Sequence, residues 1–162
     1  MTEGMFDWTD EEIWSFYLEN IERIVQNLDV IDGAKEYNEK TYILAIEAIT
    51  NIALTIKKSP EIINKIQVIW LGGNSFLAKN NREFNFEQDV QTVREVFESK
   101  VKLTVIPCKN VASNLTTSIY ELEHFLKGKS ELCDYLCQRF FNDTYHGIQE
   151  RRVNWDISVI TY

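Results

Sequence analysis

The sequence predicts an α/β fold, an open and mostly parallel sheet with helices on both faces. Three observations predict it. Short apolar runs at residues 42–46, 66–71 and 101–106 carry almost no polar interruption. Such runs fit strands covered on both faces, as in a parallel sheet. Helix-length amphipathic stretches separate them, and strand alternating with helix in one sheet leads to right-handed crossovers. Turn formers close the later two runs, Gly72-Gly73 after the second and Pro107 after the third.

Taken in order, Thr9-Asp10-Glu11-Glu12 has the spacing of a capping box, in which the Thr hydroxyl and the Glu carboxylate satisfy free N–H groups at a helix start. Ile13, Tyr17, Ile21, Ile24, Val25 and Leu28 then recur at helical spacing, so a helix ends near residues 29–33. After the 42–46 strand, Ile52, Leu54 and Ile56 lie in a helix that stops near Ser59-Pro60. The 66–71 strand leads through a polar loop to a helix over 89–99, and the 101–106 strand follows. Ser118 with Glu121 opens another capped helix running to 127–128, and a further helix covers 130–141. No internal repeat, low-complexity stretch or Pro/Gly-rich linker interrupts the chain, which reads as one domain over 1–162.

A chain of 162 residues with 44% hydrophobic and 12% aromatic content can bury a substantial core. Its net charge of −8 opposes general attraction to nucleic acid or to an anionic membrane, since nothing would offset phosphate repulsion. Lys57-Lys58 and Arg151-Arg152 are too short to reverse that. Cys108, Cys133 and Cys137 match no metal-ligand spacing and make a poor disulfide framework. Cys133 and Cys137 share a helix face as packed thiols. A reducing cytoplasmic setting is expected, with no leader at the N-terminus and no apolar window of membrane-spanning length.

In open parallel sheets, ligands bind beyond the carboxyl ends of the strands. Residues 47–51, 72–85 and 108–114 leave the strands at that edge. Glu83 and Asn85 flank Phe84, and in an extended stretch their side chains point the same way while the ring points inward. A carboxylate beside a carboxamide can accept from and donate to vicinal hydroxyls, as sugar recognition requires. The plainer alternative is a pair of solvated loop residues, with Glu83 or Glu87 favouring a helix N-terminus.

The segment IQVIWLGGNSFLAKNNREFNFEQDVQTVREVFE, residues 66–98, resembles the central part of inosine/uridine-preferring nucleoside hydrolases: a strand ending in Gly-Gly, a loop, Glu-Phe-Asn, then an Asp-containing helix. AITNIALTIKKSPEIINKI (48–66) is similar to the preceding helix of that family, VKLTVIPCKNVAS (101–113) to the following strand, and VNWDISVITY (153–162) to the start of its late Asp-containing helix. The resemblance covers 42–162 and implies a partial nucleoside hydrolase fold. It also implies hydrolysis of the N-glycosidic bond of purine or pyrimidine ribonucleosides at a bound calcium. Carried over, Glu83 and Asn85 would bind ribose hydroxyls, with Asn74 a further ribose contact. Asp156 and the backbone carbonyl of Ile46 would ligate the calcium, a hard cation suited to such oxygens.

Two departures stand out. Many family members have His before the late Asp, where this chain has Trp155, which cannot donate its indole proton to a departing base but can stack on one. His146 is a nearby substitute, although a loop histidine is more simply read as solvated. The family's N-terminal motif DTDxGxDDxxAL, which supplies most calcium ligands and the general base, has no counterpart here. Asp7, Asp10, Glu11 and Glu12 read as cap and dipole partners, so no catalytic base is assigned. Two functions follow as expectations: a nucleoside hydrolase portion working as a homo-oligomer or with a complementing N-terminal chain, or a non-catalytic remnant that binds ribose or nucleosides. Either leaves a sheet edge open to pairing.

Overall fold

The computed structural model describes residues 40–142 and 151–162. The capping box at 9–12, the helix expected after it and His146 lie outside the described residues. Strand β1 (Thr41–Ala45) pairs in parallel with β2 (Ile66–Leu71), with Ile43 opposite Val68 and Ala45 opposite Trp70. On the other side of β2 lies β3 (Lys102–Ile106), also parallel, with Trp70 opposite Val105. The order is β1-β2-β3. The crossovers carry α1 (Thr50–Lys58), the short α2 (Phe84–Glu87) and α3 (Val90–Glu98).

Side chains alternate across a strand, and the alternation divides the interior in two. Ile66, Val68 and Trp70 face Ile49, Ile52 and Ile56 at α1 and Val93 and Val96 of α3, forming the larger core. Ile69 and Leu71 face the other way and pack with Ile106, Cys108, Ala112 and Val159. Burying each of the large aliphatic or aromatic side chains contributes about 1.5–3 kcal/mol, so the fully buried β2 anchors both layers. β1 does not share this double burial, contrary to the expectation from its apolar run. Ile43 and Ala45 pack on the core, whereas Tyr42 is 60% exposed and Leu44 is also exposed. The physical reason is that the described helices cover only one face of β1.

Asp89 fastens the two crossover helices. Its carboxylate caps α3 by accepting from the Thr92 N–H at 3.1 Å and also accepts from the Thr50 hydroxyl at the start of α1, 2.6 Å away. Beyond β3, the strand β4 (Thr116–Ser118) pairs antiparallel with β5 (Arg151–Val153), a ribbon that no periodicity announced. Helices α4 (Ile119–Leu126) and α5 (Glu131–Asn142) lie between them in sequence. The Ser118–Glu121 capping box expected from sequence is formed, and the Arg152 guanidinium sits 4.5 Å from the centre of the Phe140 ring. A 3-10 turn, Asp156–Val159, then folds back against the sheet, burying Val159 beside Leu71 and Ile106. Among the described residues no helix is long and apolar enough to cross a membrane.

Candidate active site

A cleft of about 510 Å³ opens at the carboxyl ends of the strands, within the size range of small-molecule sites. Ile46 reaches it from the end of β1, Leu71, Asn74, Glu83 and Asn85 from the end of β2, Cys108 and Lys109 from the end of β3, and Trp155 and Asp156 from the C-terminal segment. All five side chains or carbonyls singled out in the sequence, Ile46, Asn74, Glu83, Asn85 and Asp156, are therefore brought to one place.

The local chemistry of Gly72-Gly73 sets the cleft floor. A Cβ on Gly72 would lie 2.3 Å from the Trp70 ring, so only glycine lets the chain turn across that indole, and Gly73 takes φ +70. Trp70 is fully buried and its indole N–H donates to the Glu47 carbonyl at 2.9 Å, which holds the β1 exit against the end of β2.

Glu83 caps α2. Its carboxylate accepts from the backbone N–H of Gly73 at 2.7 Å, of Asn85 at 3.1 Å and of Phe86 at 3.1 Å. Asn85, 6% exposed, donates both amide protons to strand ends: to the Leu71 carbonyl at 2.9 Å and the Ile46 carbonyl at 3.1 Å. This corrects the picture of an extended Glu-Phe-Asn with an inward ring. Helix α2 begins at Phe84, so Phe84 turns outward, 73% exposed, and lines the cleft. The donating half of the sugar-binding chemistry expected of Asn85 is spent on the scaffold, leaving Oδ1 as its acceptor. The helix-cap alternative for Glu83 is realised within the same cleft.

Asn74 turns its amide toward the carbonyls of Asn80 and Arg82, each at 3.4 Å, and its Oδ1 is buried with no hydrogen-bond partner among the described residues. Asp156 is exposed at the start of its turn, beside Trp155, which is 41% exposed. Cys108 was not foreseen as a cleft residue. Burial, together with the neighbouring Glu83 and Asp156 carboxylates, pushes its thiol up to about 12 from the ordinary 9.0. The available signal was its place as first residue after Pro107, inside a segment already expected to leave the sheet at the ligand edge.

Calcium takes about six to eight oxygens. Of the two ligands expected from the sequence, the cleft presents the Asp156 carboxylate and the Ile46 carbonyl, the latter already accepting from Asn85; Glu47 and Glu83 also line it, and the Glu83 carboxylate is taken up by three backbone N–H groups. Among the described residues no group of three His, Cys, Asp or Glu could hold a metal ion. These residues do not by themselves fit a calcium ion.

The cleft lies at the carboxyl edge of a parallel sheet, the place where open α/β folds bind their ligands. The model of the inosine-uridine preferring nucleoside hydrolases matches residues 7–160, and the chain belongs to that family. It is 31% identical over 119 residues to uridine nucleosidase 1 of Arabidopsis thaliana, covering 69% of this chain and 35% of that protein. With probable uridine nucleosidase 1 of Oryza sativa subsp. japonica it shares 29% identity over 136 residues, 74% of this chain and 40% of the relative. The fold is similar to the crystal structure of an inosine-uridine preferring nucleoside hydrolase from Bacillus anthracis, with a TM-score of 0.63 at 23% identity, covering 82% of this chain and 45% of that one. The chain spans only 35–40% of the length of these curated relatives.

Proposed function

We propose that this chain forms the sugar-binding side of a nucleoside N-ribohydrolase, which cleaves the N-glycosidic bond of a purine or pyrimidine ribonucleoside to free base and ribose. The observation that carries this reading is the meeting of Asn85, Glu83 and Asp156 in one ligand-sized cleft, from segments far apart in the sequence. Asn85 Oδ1 and the Asp156 carboxylate are hydrogen-bond acceptors for ribose hydroxyls. Trp155 and Phe84 add exposed aromatic surface on which a planar base can stack. The sugar is thereby gripped by oxygens and the base by rings.

Hydrolysis needs a base for the attacking water, and calcium, if used, needs further oxygen donors beside Asp156 and Ile46. A homo-oligomeric neighbour or a complementing N-terminal chain is the proposed source. A second reading, nucleoside binding without turnover, is favoured by one observation: three backbone N–H groups already hold the Glu83 carboxylate.

Ribose release from inosine and from uridine, with and without added calcium, tests the first reading, and calorimetric binding of the same nucleosides tests the second. Asp156→Asn is expected to abolish release while leaving the fold intact, because the carboxylate is exposed. The 162-residue chain alone is expected to turn over at least about a thousandfold more slowly than a full-length family member, since general acid/base groups contribute roughly 10²–10⁴. Turnover within tenfold of such an enzyme would overturn that expectation. Failure to bind or cleave either nucleoside would remove both readings.

A further inference from the structure

The exit of β3 is fastened to the exit of β2 beyond the end of the ladder. The Gly72 N–H donates to the Ile106 carbonyl at 3.2 Å, the Cys108 N–H to the Gly73 carbonyl at 2.8 Å, and the Asn110 side-chain amide to the Ser75 hydroxyl at 3.1 Å. The Asn110 N–H donates in turn to the Ser113 hydroxyl at 3.0 Å, and its carbonyl accepts from the Asn114 amide at 3.1 Å. Asn110 takes φ +68, a left-handed conformation that Asn adopts more readily than most residues. Lys109 lies between these two pinned residues and lines the cleft. Its backbone is held while its side chain is exposed.

The cleft is graded in depth. Leu71, Asn85 and Cys108 are buried and make its floor, whereas Phe84, Trp155 and Lys109 are exposed and make its rim. Among the described residues the other cation lining the cleft is Arg82, whose Nε is taken up by Glu87 at 3.0 Å. The Lys109 ammonium has no hydrogen bond or ion pair among the described residues. It is the cation left for a ligand.

We propose that Lys109 is a base-recognition residue: its ammonium donates a hydrogen bond to a carbonyl oxygen of the nucleoside base, beside the rings of Trp155 and Phe84. The proposal rests on the reading of the cleft as a ribonucleoside site, with the sugar at the acceptors of the floor and the base against the rings of the rim. An ammonium has three donors and no acceptor, so an oxo group is what it can serve. Its charge makes such a bond stronger than a neutral one. A phosphate carried by the sugar is the other group that a rim cation would attract. The charges oppose it, because Glu47, Glu83 and Asp156 line the same cleft and one unpaired ammonium does not offset three carboxylates toward a dianion. The pinned turn also matters: with the backbone fixed beforehand, only the lysine stem has to be ordered when the base arrives.

The test uses the full 162-residue chain and calorimetric dissociation constants for whichever of uridine and inosine binds more tightly, and for its 5′-monophosphate. Lys109→Met keeps the length of the stem and removes the charge. It is expected to weaken the nucleoside about three- to tenfold, the scale of one hydrogen bond at an exposed site, and the monophosphate by the same factor. The second readout is the infrared difference spectrum of the bound nucleoside, isotopically labelled at a base carbonyl. One carbonyl stretch is expected to lie at lower frequency in the unaltered complex than in the Lys109→Met complex, because a charged donor weakens the C=O bond. Three results overturn the inference and leave the ribonucleoside reading standing. A smaller loss for the nucleoside would make Lys109 a solvated rim residue, a greater loss for the monophosphate than for the nucleoside would assign the ammonium to phosphate, and unchanged carbonyl stretches would assign it to the sugar. An unaltered chain that binds neither nucleoside overturns both readings.

Discussion

The side-chain amide of Asn85 donates to the backbone carbonyl of Ile46, 3.1 Å away and 39 positions earlier in the chain. Its second proton goes to the Leu71 carbonyl at 2.9 Å. One carboxamide thus closes the carboxyl ends of two adjacent parallel strands, where the ladder has run out and the carbonyls would otherwise lack donors. The residue that the family resemblance assigns to ribose is also a keystone of the sheet edge: Nδ2 serves the scaffold, which leaves Oδ1 as the acceptor that the proposed ribose contact would use.

Asn85→Ala is therefore expected to destabilise the fold as well as the site. Leaving buried carbonyls unpaired costs about 1–3 kcal/mol, read as a lower urea midpoint. Asn85→Asp is expected to cost at least as much, because its oxygens would face two carbonyl oxygens. An unchanged midpoint in both variants would mean that water satisfies those carbonyls and that the amide serves the ligand alone.

Asp89 joins α1 to α3 through a single carboxylate, capping Thr92 and accepting from Thr50 at 2.6 Å. Asp89→Ala removes a helix cap worth about 0.5–2 kcal/mol and leaves the Thr50 hydroxyl without this partner. Thr50→Val removes only the second bond. The loss for Asp89→Ala is expected to exceed that for Thr50→Val by roughly 1 kcal/mol in denaturant titrations. Equal losses would assign the whole effect to the Thr50 bond.

The three parallel strands, the helices between them and the Ser118 cap were legible in the sequence, because each is a local pattern: an apolar run, a helical repeat, a box of four residues. The burial of β1 on one face only was not, since the same apolar run suits one cover or two. The outward turn of Phe84 was missed for a different reason. Glu83 was paired with Asn85 as if both lay in a strand, whereas the Glu83 carboxylate accepts from two following N–H groups and so starts a helix at Phe84. Cys108 was hidden because the residues that share its cleft, Glu83 and Asp156 among them, lie far from it in the sequence. Periodicity carries no signal across such distances.

Gly72→Ala is expected to be among the most damaging small substitutions. The added methyl would sit 2.3 Å from the Trp70 ring, which is fully buried and cannot move without breaking its bond to the Glu47 carbonyl. Overpacking of this kind costs about 1–3 kcal/mol, occasionally more. A shift in indole fluorescence should accompany the lower midpoint, because the Trp70 environment changes. A Gly72→Ala protein with both signals unchanged would show that the ring has room the structure denies it.

Glu121 gives the fold an acid-sensitive joint. The backbone N–H of Ser118 at 2.7 Å, its hydroxyl at 2.9 Å and the Arg151 guanidinium at 3.2 Å hold the carboxylate charged, lowering its pKa from the ordinary 4.5. A group whose folded pKa lies below its unfolded value contributes stability that is present above the unfolded value and is lost as pH falls through the folded one. The contribution of Glu121 should thus be constant at neutral pH and decline only below 4.5. Glu121→Gln keeps an acceptor for Ser118 but no charge for Arg151 or for the helix N-terminus. Its melting temperature should lie below that of the unaltered protein at pH 7, and the gap should narrow as the pH falls below 4.5 and through the lowered folded value, where the carboxylate becomes protonated in the folded chain as well. Added salt at pH 7 should narrow the same gap, because the Arg151 pair is exposed and screened. A gap that stays constant from pH 7 to pH 3 would show that the carboxylate contributes through shape and not through charge.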